Sequence, residues 1–459
     1  MIIKELEKYR KFFTEYTELR IQENRNTRIS LVKGDVMSNN RSSEGGVSAR
    51  VYKDGSWGFA SDPVISDEIV KKVINTATDN AVFLSSKQQD KKSELISRKA
   101  SLSKDFTTTK PKKSQKEMIE FLKEIDDHII EKYPDLTSRA ITLAALDMEK
   151  TLITSDESYS YSMIPRCLVY LVLTLVKDGK PYDLFQSYGG FGQFEDNFDD
   201  PAVLFDGIRT QYEHLVNKAD GIYAKAGMHD VIMDAELAGI LAHEAIGHTT
   251  ESDIVKGGSV AADYMNKKAA SEIVNLVDFA NEAFGQICPV PVFVDDEGTL
   301  AQDAVIIKDG VLQSYMNNKD TALYFGHELT GNARAYRFND EPLVRMRNTA
   351  ILPGTCKLED MIASIEDGYY LMKSYNGQAD STSEFMFGVQ LGYEIKNGKL
   401  GKAIKDTTIS GVAFDVLKSV SMVSDDMSWD CSGMCGKKQP IPVGMGGPAI
   451  KCRVNIGGK

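Results

Sequence analysis

Residues 234–248 have the sequence DAELAGILAHEAIGH. Asp234 follows the short apolar run Val231–Met233 and is a good helix N-cap, and strong helix formers come after it. The segment therefore predicts a strand that leads into a helix. The end of this helix reads H-E-x-x-x-H, which is the metalloprotease pattern H-E-x-x-H with one residue more.

The spacing of the two histidines decides whether they can share one ion. On a regular α-helix, which turns by about 100° per residue, a residue at 247 would lie about 40° from His243, whereas His248 lies about 140° away. We therefore expect the helix to be irregular at Ile246–His248, with His243 still helical. Gly247 permits this through a left-handed C-terminal conformation or a π-bulge. A regular helix through His248 would exclude a shared metal.

The residue types fit the chemistry of a catalytic zinc site. Such a site has three protein ligands and a water, and zinc lowers the pKa of that water towards about 7. Glu244, next to the first histidine, is placed to take the proton of that water. The spacing alone is equally compatible with one buried and one surface histidine and no metal. For the third ligand, Cys435 in a Gly- and Lys-bearing loop competes with the carboxylates of Glu251 and Asp253.

Length and composition exclude several classes of protein for this chain. A chain of 459 residues predicts two or three domains, and a net charge of -12 disfavours general nucleic-acid binding. No apolar run approaches the ~18–20 residues of a membrane span, and Cys167–Val176 reads as a buried strand. The N-terminus offers no signal-peptide core, so a cytoplasmic protein is expected. The six cysteines are too few for a disulfide scaffold in a chain this long.

The N-terminal part mixes helices with strands. Apolar residues at three- and four-residue steps predict a first helix, and they are Ile3, Leu6, Tyr9, Phe13 and Tyr16. A second helix is expected over Glu68–Leu84. The Lys- and Ser-rich stretch 85–114 is expected to be an exposed, mobile connection. It ends in the capping box Ser114–Glu117, which predicts an amphipathic helix.

Tight turns indicate antiparallel sheet in both halves of the chain. Each turn pairs Asp or Asn with Gly between alternating strands, at residues 54–55, 178–179, 309–310 and 397–398. Residues 141–155 are also expected to form a hairpin. The fold class is therefore α+β with two unequal domains. We place the division in Asn217–Gly227, with an N-terminal domain over 1–220 and a C-terminal catalytic domain over 221–459.

Several ordered motifs resemble those of the TldD/PmbA peptidase family, and within it the TldD branch. They are HEAIGHTTESD (243–253), DDEGTLAQ (295–302) with its following hairpin, TGNARAYRFNDEPLVRMRNTAILPGT (330–355) and CGKKQPIPVGMGGP (435–448). The sequence departs from the family pattern at Thr249-Thr250, at Asp303 and at Cys431, and these departures concern the substrate pocket and not the metal site.

The resemblance implies a zinc-dependent peptidase that acts on unfolded or extended peptides. One zinc ion per catalytic subunit would be held by His243, His248 and Cys435, with Glu244 as general base. The family fold is a smaller N-terminal α/β domain and a larger β-rich C-terminal domain of the TldD/PmbA type, which carries the H-E-x-x-x-H helix. The partner would be a PmbA/TldE-like subunit or a second copy of the chain, with no nucleic acid and no membrane.

Two other interpretations stay open on the sequence. The chain could be a catalytically inactive PmbA-like companion or binding subunit, although such a subunit has no reason to keep the His, Glu, His and Cys set. Alternatively, Cys431 and Cys435 could be redox thiols. Substrate-binding residues are not identified by the sequence.

Overall fold

The N-terminal part is built on one seven-stranded sheet. The structure is a computed structural model that describes residues 5–88, 95–96 and 98–457. The strands of this sheet are β1 Tyr16–Val32, β2 Asp35–Lys53, β3 Ser56–Asp62, β4 Ser101–Asp105, β5 Ser138–Thr154, β6 Tyr159–Lys177 and β7 Lys180–Phe191. Their order is β3-β2-β1-β5-β6-β4, and β7 also pairs with β6. All pairs are antiparallel except β4 with β6.

Four helices accompany this sheet: α1 Asp67–Ser85, α2 Gln115–Lys132, α3 Phe194–Asn197 and α4 Phe205–Ala219. Side chains of β1 alternate between the two faces, as a strand requires. Leu19 and Ile21 pack against α1, whereas Arg20 and Gln22 point to the other side. There they donate hydrogen bonds to the backbone oxygens of Asp340 (2.7 Å) and Tyr336 (2.6 Å). The polar face of this sheet is therefore buried against the C-terminal part.

The C-terminal part contains two larger sheets. One is six-stranded in the order β13-β12-β9-β16-β25-β22, and the other is seven-stranded in the order β17-β8-β26-β20-β18-β19, with β21 on β26. The strands are β8 Gly227–Met233, β9 Leu276–Phe279, β10 Glu282–Ala283, β11 Gln286–Ile287, β12 Ala304–Lys308, β13 Val311–Leu312, β14 Ala333–Arg334, β15 Leu343–Val344, β16 Asn348–Ile351, β17 Asp367–Ala379, β18 Glu384–Lys396, β19 Lys399–Ile404, β20 Thr407–Val412, β21 Met422–Val423, β22 Ser428–Asp430, β23 Met434–Cys435, β24 Ile441–Pro442, β25 Gly444–Gly447 and β26 Ile450–Gly457.

Short helices join these strands, and the first of them lies between the two sheets. The helices are α5 Ala235–Ile240, α6 Ser252–Lys256, α7 Lys319–Phe325, α8 Leu358–Ala363 and α9 Ala413–Lys418. Helix α5 follows β8 directly and contacts β17 of one sheet and β25 of the other. Its apolar side is fully buried there, through Leu237, Ala238 and Leu241. Helix α5, which leads directly into the segment with the histidines, is thereby packed on both sides.

Most of the predicted elements are present. The fold is α+β, with a smaller N-terminal domain and a larger β-rich C-terminal domain. Helix α1 lies where the second helix was expected, and the capping box at Ser114 and Glu117 opens α2. All four Asp-Gly or Asn-Gly turns connect adjacent antiparallel strands and have positive φ at both residues. The division at residue 220 stays a prediction.

Two expectations were wrong. Instead of an α-helix through Tyr16, the described residues form a 3-10 helix over Glu7–Phe12, and Tyr16 begins β1. Ile3, the first residue of the predicted helix pattern, lies outside the described residues. The apolar spacing there reflects Leu6 and Tyr9, which are buried in the core beside α1. Residues 141–155 form no hairpin, because Ser138–Thr154 is one strand that pairs with both β1 and β6. No Gly or Asn interrupts it, so nothing allows a tight reversal.

The stretch 85–114 is more ordered than expected where the structure describes it. Residues 89–94 and 97 lie outside the described residues. After them, Ser101–Asp105 adds to the sheet as β4, parallel to β6. Alternating exposure of its side chains fits an edge strand. No helix among the described residues is long and apolar enough to span a membrane.

Candidate metal centre

The helix that carries the histidines changes its winding before it reaches them. Asp234 caps α5 by accepting a hydrogen bond from the Leu237 amide (2.9 Å). After Ile240 the chain is π-helical over Leu241–Gly247, and a 3-10 turn follows over His248–Thr250. The expected irregularity is therefore present, although it begins at Leu241, well before Ile246.

The π-helical turn is what brings the two histidines together. The His248 amide donates to the His243 carbonyl, five residues back. This i→i+5 bond defines a π turn and places residue i+5 above residue i. The two imidazole rings lie 5.2 Å apart, centre to centre. The extra residue in H-E-x-x-x-H is thus taken up by one wider turn of the helix.

Gly247 has a different role from the one that the sequence suggested. Its φ of -56° and ψ of -54° are right-handed helical, so the left-handed alternative was wrong. A Cβ atom at this position would overlap the Sδ atom of Met346. Glycine is needed here because another part of the chain packs against the helix backbone.

Cys435 completes a cluster of three ligand atoms. It lies in β23, which pairs with β24, and its Sγ is 3.3 Å from Nε2 of His248. Ligand atoms of His243, His248 and Cys435 all lie within 4.8 Å of one another. His243 is only 1% exposed, and neither of its ring nitrogens has a hydrogen-bond partner. Buried imidazole nitrogens are normally satisfied, and a metal ion would satisfy one here. Two imidazoles and a thiolate are a donor set that fits zinc.

The electrostatics favour a thiolate at Cys435. Burial raises the pKa of its thiol, but the neighbouring imidazoles of His243 and His248 outweigh burial and lower that pKa to about 4. Burial lowers the pKa of His248, but the neighbouring Glu251 charge and Cys435 raise that pKa well above its usual value. The contact between Cys435 and His248 therefore favours the thiolate form of the cysteine. The thiolate is the form of cysteine that binds metals.

Glu251 and Asp253, the competing ligands, lie outside the three-atom cluster. Glu251 is fully buried, and its Oε2 is 2.8 Å from Nδ1 of His248. Burial raises the pKa of Glu251, but Lys437 and His248 lower it to about 2. Its carboxylate orients the imidazole so that Nε2 faces Cys435, as carboxylates do behind metal-binding histidines. Asp253 instead accepts a hydrogen bond from Lys437 (2.7 Å).

Glu244 faces the same cluster from a more open side. Its Oε2 lies 3.7 Å from Nε2 of His248, and its side chain is 23% exposed. The carboxylate therefore lies beside the candidate metal position and is accessible to water.

Cys431 occupies a separate environment. Its Sγ packs against Gly190 of β7, and its carbonyl accepts a hydrogen bond from Arg166. Burial raises the pKa of its thiol to about 11, the opposite of Cys435. All six cysteines are free. Cys431 and Cys435 therefore lie in different electrostatic environments.

Two residues that the sequence did not single out hold the Cys435 loop. Arg345 is fully buried and donates to the carbonyls of Cys435 (2.8 Å), Lys437 (2.8 Å) and Gln439 (2.9 Å). Lys437 reaches from the loop to the segment after the histidines. The only sequence signal for them was their place in the quoted motifs.

A cleft lies between the two parts of the chain, and it is lined by residues close in sequence to His243 and Cys435. It has a volume of about 470 Å³ and runs between the N-terminal sheet and the C-terminal domain. Ile240, three residues before His243, and Gly433, two residues before Cys435, line it. Phe185 of β7 and Tyr375 of β17 lie on its walls.

A buried set of two imidazoles and a thiolate with a carboxylate beside it is the arrangement of a metal-dependent hydrolase. Comparison with known proteins defines the class further. The profile of the PmbA/TldA metallopeptidase C-terminal domain matches residues 226–458, and that of PmbA/TldA metallopeptidase domain 1 matches residues 17–81. The chain belongs to the TldD/PmbA family and is a metallopeptidase with a metal cofactor.

Individual relatives agree with this assignment. A metalloprotease of Methanocaldococcus jannaschii is 32% identical, with 95% of this chain and 96% of the relative covered. A TldD homologue of Buchnera aphidicola, named a metalloprotease, is 31% identical, with coverage of 97% and 93%. A protein of Saccharolobus solfataricus named a zinc metalloprotease TldD homologue is 29% identical, with 90% of each chain covered.

Solved structures share the fold. The crystal structure of TldE from Thermococcus kodakarensis superposes with a TM-score of 0.77 at 19% identity, with 99% of each chain covered. A Thermotoga maritima protein described as a putative modulator of a DNA gyrase gives a TM-score of 0.78 at 17% identity, with 96% of each chain covered. At these identities the likeness concerns the fold alone.

Proposed function

We propose that this chain is a zinc-dependent peptidase that hydrolyses peptide bonds of unfolded or extended peptides. One zinc ion per subunit would be held by His243, His248 and Cys435, and Glu244 would act as general base. The convergence of the three ligand atoms within 4.8 Å, with a water-accessible carboxylate beside them, carries the proposal.

When bound, zinc supplies Lewis acidity, which makes water a nucleophile near neutral pH and polarises a carbonyl. The chain's own residues do the rest. Glu244 takes a proton from the attacking water and passes it to the leaving amine. Glu251 keeps Nε2 of His248 directed at the metal position. His243 closes the inner side of the site, since it is almost completely buried.

The cleft supports an extended peptide as the substrate. Strand β22 is the last strand of its sheet, and Asp430 at its end lines the cleft. A peptide in strand conformation could add to such an edge through main-chain hydrogen bonds. A folded protein cannot present its backbone in this way, so unfolded segments are the expected substrates.

The general-base role is tested by Glu244→Gln. Glutamine keeps the shape of the side chain but cannot accept the proton, so hydrolysis of an unfolded casein substrate should fall by at least ~100-fold. Zinc content, measured by atomic emission on the purified protein, should be unchanged. Glu272→Gln, at an exposed position, serves as the control and should leave both quantities unchanged. Full activity of Glu244→Gln would exclude this role.

The alternative is a catalytically inactive companion subunit. It is disfavoured because the complete donor set is present and its atoms converge. Metal analysis and casein hydrolysis of the wild type and His243→Ala separate the two: a peptidase loses both zinc and activity on this substitution, whereas an inactive companion, whose metal is absent or structural, has no activity to lose.

The active assembly is proposed to be a pair of subunits, either with a PmbA/TldE-like partner or with a second copy. The likeness to a TldE structure supports a shared subunit shape. Light scattering of the chain alone, and after mixing with a candidate partner that lacks the histidine motif, distinguishes the two arrangements.

A further inference from the structure

Lys437 connects the cysteine loop to the segment that follows the histidines. It lies two residues after Cys435, and its side chain is 11% exposed. Its Nζ donates to the Val344 carbonyl (2.8 Å) and to Oδ1 of Asp253 (2.7 Å), and it lies 3.2 Å from Oε2 of Glu251. Three acceptors from two distant parts of the chain therefore fix one ammonium group.

The contact with Glu251 closes a ring of interactions around the site. The Oε2 atom that Lys437 approaches is also the atom that lies 2.8 Å from Nδ1 of His248. The other ring nitrogen of His248 lies 3.3 Å from Sγ of Cys435. The chain of contacts thus returns to the loop in which it began.

The backbone of the same loop is held independently. Arg345 donates to the carbonyls of Cys435 and Lys437, and it is fully buried. The position of the Lys437 backbone is therefore set by Arg345, and the Lys437 side chain transmits that position to Glu251. A carboxylate behind a metal-binding histidine fixes the orientation of its ring, and here the carboxylate has its own cationic anchor.

We propose that Lys437 is a positioning residue of the metal site, which aligns His248 with Cys435 through Glu251 before any metal is bound. The inference rests on the proposed zinc site. It adds the residue that fixes the position of the histidine segment relative to the Cys435 loop. Alignment in advance raises metal affinity because less ordering of the ligands accompanies binding.

The test compares two neighbouring lysines. Lys437→Met removes the ammonium group, and Lys438→Met makes the same change at the next, exposed residue. Zinc affinity is measured by competition with a chromophoric chelator. Lys437→Met should weaken zinc binding by about 10–100-fold, the usual cost of losing a residue that supports a ligand, whereas Lys438→Met should bind as the wild type does. Equal affinities for all three proteins would overturn the inference.

A second readout separates positioning from general stability. With Co²⁺ in place of zinc, the thiolate-to-metal charge-transfer band reports whether Cys435 and the histidines bind one ion. Lys437→Met should weaken or shift this band, and Lys437→Arg, which keeps a cation, should restore most of it. If Lys437→Met lowers only the thermal stability of the metal-free protein and leaves the cobalt spectrum unchanged, the role is structural and the inference fails.

A double-mutant cycle tests the route through Glu251. Because Lys437 acts on His248 through this carboxylate, Lys437→Met should add little to the loss of affinity in Glu251→Gln. Fully additive losses would contradict that route. Absence of zinc binding in the wild type would contradict the proposed function instead, so the two failures are distinguishable.

Discussion

Gly247 shows how one residue of the histidine motif is constrained from outside the motif. Its backbone angles suit any residue, so no conformational requirement selects glycine there. The requirement is steric, because Sδ of Met346 occupies the place of a Cβ atom. Met346 is itself fully buried in the core of the C-terminal domain. The π turn and the core packing therefore depend on each other.

Gly247→Ala is expected to disturb the π turn and the core packing around Met346. Overpacking of this kind costs about 1–3 kcal/mol, and it would displace the π turn that places His248 above His243. Thermal unfolding should shift down, and zinc affinity should fall. Combining it with Met346→Ala should restore zinc affinity, since the overlapping atom is removed, although the cavity itself costs about 2–5 kcal/mol. Unchanged affinity in Gly247→Ala would show that the helix tolerates the methyl group.

Among the short elements, two Asp-Gly turns allow two effects of a glycine substitution to be compared: backbone strain at positive φ, and steric contact of the added Cβ atom. The turns at Asp178-Gly179 and Asp309-Gly310 have nearly the same geometry, with φ of 73° and 75° at the glycines. A Cβ atom on Gly179 would meet nothing within 4 Å. On Gly310 it would lie 2.7 Å from the carbonyl oxygens of Ala270 and Ser271.

Gly310→Ala should therefore destabilise the protein more than Gly179→Ala. Both introduce a β-carbon at positive φ, which costs about 1–2 kcal/mol. Only Gly310→Ala adds a clash with backbone that cannot rotate away, which we expect to cost about 1–3 kcal/mol more. Urea unfolding followed by circular dichroism measures the difference. Equal midpoints for the two variants would mean that residues 270–271 move without cost.

At the scale of the whole molecule, the two domains meet through buried charges. Arg50 of β2 lies 2.5 Å from Oε1 of Glu297 and 3.5 Å from Oε2 of Glu18. Burial raises the pKa of Glu18 to about 8; Arg50 lowers that pKa, and the negative charge of Glu297 raises it. Burial also raises the pKa of Asp295 to about 7. Two buried carboxyl groups of this interface therefore have raised pKa values.

This interface predicts a pH dependence of stability. The usual pKa of a glutamate is 4.5, so between about pH 5 and pH 8 the folded state keeps a proton on Glu18 that the unfolded state has lost. Stability then falls as pH rises through this window. Glu18→Gln, which mimics the protonated form, should make the thermal midpoint less dependent on pH, with Asp295 retaining part of the slope.

The exposed Glu131→Gln is the control for that experiment and should leave the slope unchanged. A slope in Glu18→Gln equal to that of the wild type would contradict the assignment of the proton to Glu18.

The sequence alone determined what depends on neighbouring residues. The apolar periodicity and the helix-capping residues predict α1 and α2, and the Asp-Gly turns between alternating strands predict the hairpins. These signals act over a few residues. The histidine spacing required an irregular helix for the same reason. Periodicity failed at Tyr16, where apolar residues serve a packed core and no helix, and at 141–155, where a single strand has partners on both sides.

Only the tertiary structure decided how the site is assembled. It brings Cys435 to His248, places Glu251 behind the imidazole, and packs Met346 against Gly247. It also selects Lys437 over the adjacent Lys438 for contact with the histidine segment. These contacts join residues far apart in the chain, and their geometry follows from how the sheets pack around α5. Local sequence has no information about distance across a core, so it names the ligands and leaves their alignment to the fold.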